Sequence, residues 1–198
     1  MYNRVTTLSG VKDIDGFVAG MQETALSALR AQRGYKGLSI SADRSSGLVG
    51  TMTIWETEAD RDASDSALAK LREDAGAQFA SDMKVETFEE RVVESSRSPE
   101  VGSPLMVTRI SMDPAKVDEN LEHFKREVLP QIKAAPGFRT LRNMINPQTG
   151  EGIVGSIWDD EQSMRAAADA AMARRSDATA RGVNFGETSF REILFFDM

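Results

Sequence analysis

The run that decides the fold is Thr53-Ile54-Trp55-Glu56-Thr57-Glu58-Ala59, and a close copy occurs at Ser156-Ile157-Trp158-Asp159-Asp160-Glu161. The copies are 103 residues apart and contain both tryptophans of the 198-residue chain. Because tryptophan is rare, two tryptophans in the same local sequence indicate duplication of a larger unit rather than a chance match.

Matching residues continue on both sides of the tryptophans. The pairs, at shifts of 103 or 102 residues, are Gly34-Tyr35 with Gly137-Phe138, Gly47 with Gly150, Val5-Thr6 with Val107-Thr108, and Phe88 with Phe190. A stretch rich in Ser, Gly and Pro separates the two copies. The sequence therefore predicts a first repeat at 1–94, a linker at 95–104 and a second repeat at 105–198.

Each repeat shows the same order of predicted elements. A short β-favouring run is followed by an amphipathic helix, whose apolar stripe includes Ile14, Phe17 and Met21 in the first repeat. A predicted hairpin comes next, with a turn that Gly47 or Gly150 closes. An Ala-rich second helix and a last strand complete each repeat, so the order is β-α-β-β-α-β.

The duplicated order predicts how the sheets are buried. Two helices cover one face of a four-stranded ferredoxin-like sheet, and the other face needs a partner, which the second repeat can supply. The predicted fold class is α+β, with two ferredoxin-like β-α-β-β-α-β repeats packed sheet to sheet as an intramolecular dimeric α+β barrel. Such a pseudo-dimer could remain a monomer or form a homodimer.

A strand ending in Thr53-Ile54-Trp55-Glu56, after a strand, a helix and a hairpin, resembles the antibiotic-biosynthesis-monooxygenase-like (ABM) domains of the dimeric α+β barrel superfamily. The resemblance covers nearly the whole chain, as two fused domains. It implies a pocket between sheet and helices in each half. The family includes cofactor-independent oxygenases of aromatic polyketides, haem-degrading enzymes, quinol oxygenases and members without known activity.

The haem-degrading branch can be tested on the residues. The resemblance to that branch would imply an Asn on the first strand, a Trp on the second helix and a His about ten residues after the Trp. Asn3 could match the first position, but Ser64 and Ala167 stand where the Trp would lie, and Asp74 and Asp177 near the His position. We therefore expect no haem by that route.

Other cofactors also lack sequence support. The glycines at 47–50 lie in a predicted hairpin rather than between a strand and a helix, so no phosphate-binding loop is predicted. The chain has no cysteine and one histidine, so neither thiolate nor histidine-cluster metal sites are expected. We predict no cofactor and no metal.

Charge and hydropathy narrow the partners. The net charge of −7 disfavours nucleic acid and anionic membranes, both of which favour a concentrated basic face. No run of about 18 apolar residues occurs, and the first residues lack the apolar region of a signal peptide. The expected location is the cytoplasm, and the expected partner is a small aromatic ligand.

Four residues are candidates for lining a substrate pocket. Trp55 and Trp158 could stack on a planar substrate, although a Trp at the end of a strand is often a core residue. Asn3 and Arg109 lie on first strands, where alternate residues share a face, and could line a cavity or the sheet rim. His123 is interpreted as a half-exposed helix histidine, and no catalytic residue is assigned.

Three functions remain open at this stage. The first is a cofactor-independent monooxygenase acting on a small aromatic or polyketide-like substrate in an intra-barrel pocket. The second is a non-catalytic small-molecule-binding or stress-associated protein that uses the same pocket. The third is a structural barrel whose surface recruits a partner.

Overall fold

The computed structural model describes residues 1–197. The first repeat contains β1 (Tyr2–Ser9), α1 (Ile14–Gly20), α2 (Leu26–Arg30), β2 (Tyr35–Asp43), β3 (Leu48–Trp55), α3 (Glu58–Phe79) and β4 (Asp82–Ser95). The second contains β5 (Pro104–Ser111), α4 (Val117–His123), α5 (Leu129–Ala134), β6 (Phe138–Ile145), β7 (Glu151–Trp158), α6 (Glu161–Ala180) and β8 (Asn184–Asp197). The predicted order of elements is confirmed in both repeats.

The first helix of each repeat differs from its sequence prediction. A π-helical turn, Met21–Ala25, lies between α1 and α2, and another, Phe124–Val128, lies between α4 and α5. Apolar spacing predicted one regular helix, because a single wide turn barely disturbs the stripe. Such turns are frequent at functional sites, and here they occupy the same place in both repeats.

Side-chain caps mark the starts of several helices. The Thr57 hydroxyl accepts a hydrogen bond from the Asp60 amide at 3.0 Å, and the Asp160 carboxylate accepts one from the Ser163 amide at 2.7 Å. Asp113 caps a short 3₁₀ turn that leads into α4. Each cap satisfies an amide that the helix leaves without a partner.

The hairpin loops need glycine at their last position. Gly47 and Gly150 have φ angles of +69° and +73°. At Gly150 a β-carbon would lie 1.9 Å from the Met112 carbonyl oxygen. Both the left-handed backbone and the close approach therefore exclude a side chain.

The strands are connected in an antiparallel α+β topology. Their hydrogen-bonded order is β1-β3-β2-β8-β5-β7-β6-β4, and this order is closed. Within each repeat the central strand pairs with both neighbours: β3 with β1 and β2, and β7 with β5 and β6. The predicted fold class, a duplicated ferredoxin-like α+β barrel, is confirmed.

The chain divides into two compact units. The first comprises residues 1–88 with 192–197, and the second residues 89–191. In the first unit β2 pairs with the end of β8, from Leu38 with Asp197 to Ala42 with Glu192. In the second, β6 pairs with the end of β4. The units differ from the sequence repeats at these ends because the last residues of β4 and β8, strands of 14 residues each, pair with a strand of the other repeat.

The tryptophans occupy equivalent places in the two cores. Trp55 is fully buried and meets Tyr35 edge to face, with 5.8 Å between the ring centroids. Trp158 meets Phe138 in the same arrangement at 5.8 Å. In each unit the helices and the sheet enclose this core. Among residues 1–197, no helix combines the length and apolar character needed to span a membrane.

Candidate functional site

The second unit contains a cavity of about 690 Å³ between its sheet and its helices. Alternate residues of β5, β6 and β7 form the floor, while α4, α5 and α6 with the π-helical turn form the roof. The volume lies within the range of about 300 to 1,000 Å³ that is usual for sites binding small molecules. The space is therefore large enough for a ligand of several rings.

Most of the inner surface of this cavity is apolar. Met106, Leu141 and Trp158 contribute to the floor, and Ala167 and Ala171 of α6 contribute to the roof. Alanine leaves space beneath a helix that a longer side chain would fill. Charged residues occur on the helix side, including Arg126, Glu127 and Arg181, all of which are exposed. The cavity thus combines an apolar interior with a charged outer edge.

The first unit has only a small cavity, of about 60 Å³, at the equivalent place. Every residue that lines it has a repeat partner that lines the larger cavity. Two residues that line the small cavity have smaller partners in the large one: Phe17 is replaced by Asn120 and Leu68 by Ala171. In the first unit Phe17 and Phe79 also pack edge to face, with 5.6 Å between centroids.

Arg4 fills further space in the first unit. Its guanidinium donates to the Ser64 hydroxyl at 2.9 Å and to the Arg61 carbonyl at 2.7 Å. Burial lowers the pKa of Arg4, and Asp65 at 3.3 Å opposes that effect. The repeat partner of Arg4 is Met106, which makes no such polar contacts. An arginine held in place by hydrogen bonds therefore closes one unit where a methionine leaves the other open.

Three buried side-chain atoms of residues that line the large cavity lack a hydrogen-bond partner among the described residues. They are His123 Nδ1, Asn143 Oδ1 and Arg175 Nε. Buried polar atoms are nearly always paired, so unpaired atoms in an apolar cavity favour a ligand that pairs with them. Together they offer two acceptors and one donor if the histidine is neutral.

His123 is more buried than its sequence interpretation implied. Its side chain is 16% exposed, and Nε2 lies 3.3 Å from the Asp177 carboxylate. Asp177 also lies 3.4 Å from Arg181 Nε. The difference arises because α6 packs against the end of α4, a contact between two helices that helix periodicity cannot predict.

Arg175 is held by its other atoms. Its Nη2 donates to the Thr188 hydroxyl at 2.9 Å, and its guanidinium lies 4.9 Å from the centre of the Phe185 ring. These contacts fix the guanidinium plane while leaving Nε without an acceptor in the described chain. Arg175 is therefore a fixed donor on the cavity wall.

The structure separates the two predicted tryptophans. Trp158 lines the large cavity, and its Nε1 donates to Ser156 Oγ at 3.0 Å, so the ring is what it offers a ligand. Trp55 makes the equivalent bond to Thr53 Oγ1 at 3.0 Å. It is fully buried and does not line the small cavity of the first unit.

Asn3 and Arg109 lie on the face of their strands opposite to the cavities. Even-numbered residues of β1 and β5, such as Thr6 and Thr108, line the cavities, whereas Asn3 and Arg109 are odd-numbered. Asn3 is fully buried, and both its amide atoms lack partners in the described chain. Sequence could not assign the face, because polar and apolar residues occur on both sides of these strands.

Sequence reasoning missed His123, Asn143, Arg175 and Asp177 as a group. A signal for two of them was present in the duplication: His123 corresponds to Gly20 and Asn143 to the fully buried Ile40. A polar residue in one repeat where the other has an apolar or absent side chain indicates a change of role. Among residues 1–197, no cluster of three or more His, Asp or Glu is placed to hold a metal ion.

Comparison with known proteins identifies relatives by sequence. No protein-family profile matches the chain. The uncharacterised protein Rv2557 of Mycobacterium tuberculosis strain H37Rv is 25% identical over 197 residues, covering 98% of this chain and 88% of Rv2557. The similarity thus extends over both repeats.

Solved structures show the same fold. An anthrone oxidase-like protein matches with a TM-score of 0.71 and 16% identity, covering 99% of this chain and 92% of its own. LmHde, a haem-degrading enzyme from Listeria monocytogenes, matches with a TM-score of 0.58 and 9% identity, covering 97% and 99%. A ferredoxin-fold protein related to antibiotic biosynthesis monooxygenases, from Listeria monocytogenes 4b F2365, matches with a TM-score of 0.52 and 9% identity, covering 98% and 95%. The resemblance to ABM-like domains is confirmed at the level of the fold.

Proposed function

We propose that this protein is a cofactor-independent monooxygenase that acts on a small planar aromatic substrate in the cavity of the second unit. The observation that carries the proposal is the 690 Å³ apolar cavity, together with three lining residues that each have an unpaired buried polar atom. A planar polycyclic molecule with an acidic C–H or O–H group fits both features. The fold shared with an anthrone oxidase-like protein supports the same substrate class.

The proposed reaction is the oxidation of an anthrone-type methylene group to a ketone. The substrate loses a proton, and the resulting carbanion reacts with O₂ to give a hydroperoxide. The hydroperoxide then loses water, so that R₂CH₂ and O₂ become R₂C=O and H₂O. The substrate supplies the electrons, one oxygen atom enters the product and the other leaves as water. The overall balance requires no external reductant.

The cavity residues would contribute in three ways. The apolar floor, with Trp158, would hold the rings and keep water away from the carbanion. Arg175 Nε–H would donate to the oxygen on which negative charge develops, because such a donor is most effective in a dry site. Asn143 Oδ1 would accept a hydrogen bond from a second hydroxyl group of the substrate. Orientation and desolvation would then supply most of the rate enhancement.

A haem-based function fits this cavity poorly. His123 is the only histidine in the chain, and its Nε2 already lies 3.3 Å from Asp177. The remaining nitrogen, Nδ1, is bonded to the ring carbon that carries the β-carbon. The β-carbon therefore lies close to Nδ1 and hinders the approach of a macrocycle. No step of the proposed reaction is therefore assigned to haem. A non-catalytic binding protein remains the alternative, because the cavity by itself would serve that role equally well.

The test uses the full-length protein and anthrone as the probe. We expect saturable binding, oxygen uptake in an oxygen electrode, and one anthraquinone formed for each O₂ consumed. With ¹⁸O₂, one labelled atom should enter the product. Binding without oxygen uptake would favour the non-catalytic alternative, and a strong Soret band after addition of haem would favour a haem protein. Absence of binding by anthrone and by 1-naphthol would overturn the proposal.

A further inference from the structure

We infer that His123 Nδ1 accepts the acidic hydrogen of the cavity's ligand and that Asp177 positions the imidazole for this task. The inference rests on the proposed function for the identity of the ligand, and it deepens that function by naming the base. His123 would be the catalytic residue and Asp177 a positioning residue. The pair joins the end of α4 to the last part of α6 on the cavity wall.

The geometry determines which nitrogen carries the proton in the neutral ring. An ionised carboxylate only accepts hydrogen bonds, and a neutral imidazole has one donor and one acceptor nitrogen. Nε2 lies 3.3 Å from the Asp177 carboxylate, so we expect the neutral ring to carry its proton on Nε2. Nδ1 is then the acceptor; it is buried, it belongs to a residue that lines the cavity, and it has no partner in the described chain. The arrangement is that of a histidine oriented by a carboxylate.

The first unit provides an internal comparison. Gly20 stands in the place of His123, so the first unit lacks the imidazole. Asp74, the counterpart of Asp177, lies 2.8 Å from Lys70 of the same helix, in an exposed pair. The cavity of that unit is also an order of magnitude smaller. The acceptor and the space for a ligand thus occur together in one unit and are both missing from the other.

Proton transfer to His123 balances within the proposed reaction. The C–H or O–H bond of the ligand breaks, its electron pair stays on the ligand, and a new N–H bond forms at Nδ1. The imidazolium that results is stabilised by Asp177. Arg175 Nε–H lies on the same cavity wall, where it can pair with the new anion. The same proton can return to the peroxide formed with O₂, which regenerates the neutral histidine.

Several charged groups surround this histidine. Asp177, its partner Arg181, and the cavity-lining Arg174 and Arg175 belong to the α6 side, and Arg126 and Glu127 belong to the turn that follows His123. A pH profile therefore reports on the whole group, and variants of Asp177 are needed to assign it.

The direct test is nuclear magnetic resonance of the imidazole. Because the chain has a single histidine, ¹⁵N-histidine labelling gives one unambiguous pair of ring signals. We expect a protonated Nε2 and an unprotonated Nδ1 at high pH, and a shift of the Nδ1 signal on addition of 1-naphthol. Asp177→Asn should change the tautomer balance and the titration of the ring. A proton on Nδ1, or an Nδ1 signal unchanged by bound 1-naphthol, would overturn the inference.

Kinetics separate this inference from the proposed function. His123→Gln should lower the rate of oxygen uptake with anthrone by about 100-fold or more, the usual scale of general base catalysis, while anthrone still binds. Asp177→Asn should give a smaller loss and a shifted pH profile. Asp74→Asn, the counterpart in the first unit, is the matched control and should change neither.

The outcomes are distinguishable. If the unmodified protein oxidises anthrone and His123→Gln does so equally fast, the inference is wrong while the oxygenase proposal stands. If the unmodified protein binds 1-naphthol with a shifted Nδ1 signal but never consumes oxygen, the oxygenase proposal fails. His123 then stands as the hydrogen-bond acceptor of a binding protein.

Discussion

The two units are built from the same repeat, yet one is filled and the other is hollow. In the first, Arg4, Phe17 and Leu68 occupy the space between helices and sheet, which leaves about 60 Å³. In the second, Met106, Asn120 and Ala171 stand at those places, and about 690 Å³ remains. A few substitutions on a common framework therefore separate a unit with a solid core from a unit with a candidate site.

Equivalent side-chain positions serve packing in the first unit and leave open space in the second. A well-packed core stabilises a unit, whereas a cavity forgoes dispersion contacts and so reduces stability. The first unit has kept the packing, and the second has kept space and unpaired polar atoms. Duplication permits this difference because a well-packed repeat can stabilise the protein while the other repeat contains a cavity that lowers the free energy of unfolding.

The largest expected effect comes from removing residues 192–198. In the first unit β2 pairs with Glu192–Asp197. Arg30 Nη2 donates a hydrogen bond to Asp197 Oδ1 at 2.6 Å. Without this segment β2 becomes an unpaired edge with Leu38 and Ile40 exposed. We expect hydrogen exchange at 38–42 to accelerate much more than at the equivalent 141–145. Equal protection of both segments in the shortened protein would show that the first unit does not depend on β8.

The next effect concerns the side chain that fills the first unit. Leu68→Ala should lower the free energy of unfolding by about 2–5 kcal/mol, because a buried leucine is lost and the helix cannot fully collapse onto the gap. Leu68→Met, which nearly conserves volume, is the control and should cost less than about 1.5 kcal/mol. Urea denaturation measures both. A loss below about 1 kcal/mol for Leu68→Ala would mean that the packing of this unit is not tight.

Reversing that change in the second unit should affect binding more than folding. Ala171→Leu places the first unit's side chain in the large cavity and should weaken anthrone binding by roughly tenfold or more, since overpacking costs ~1–3 kcal/mol. Ala166→Leu, on the exposed face of the same helix, should leave binding unchanged. Titration calorimetry compares the two. Unaltered binding in Ala171→Leu would place the ligand elsewhere.

The smallest effect concerns the hairpin turns. The hydroxyl groups of Ser45 and Ser46 lower the pKa of Asp43 to about 2, whereas its counterpart Asn146 does not titrate. A depressed carboxyl pKa stabilises the fold above its ordinary value of 3.8, and the contribution is lost as the pH falls towards 2. Asp43→Asn should therefore reduce the acid sensitivity of unfolding between pH 4 and 2. After discounting for solvent screening the change should be below about 1 kcal/mol.

Urea denaturation across that pH range tests the turn. The reciprocal variant Asn146→Asp should add a smaller sensitivity to acid, because Gln148 stands in the second turn where Ser45 supplies a hydroxyl group in the first. Identical pH profiles for the original protein and Asp43→Asn would show that the carboxyl group contributes nothing to stability.

Much of the fold could be predicted because it depends on local pattern. The matching tryptophans, the capping residues Thr57 and Asp160, and the glycines that close the hairpins act over a few residues. They determine the order of elements in each repeat. The pairing of the ends of β4 and β8 with strands of the other repeat could not be predicted. The sequence of a 14-residue strand does not specify which neighbouring strands it will pair with.

The residues of the candidate site could be predicted less completely than the fold. Sequence singled out Trp158, which lines the cavity, together with Trp55, Asn3 and Arg109, which lie away from it. Sequence did not show on which face Asn3 and Arg109 lie, because a strand has a period of two and both faces contain polar residues. A shift of one residue along the strand moves a side chain from the cavity face to the opposite face.

Local patterns in the sequence were enough to predict the duplication and the β-α-β-β-α-β order, and they list the chemical groups of each repeat, including a single histidine. The contact between His123 and Asp177, and the presence of Asn143 and Arg175 around the same cavity, are seen only in the folded chain. The physical reason is one of range. Helix periodicity and caps act within a few residues, whereas the cavity depends on which side chains from distant strands and helices fill the space between them. That filling is a property of packing in three dimensions.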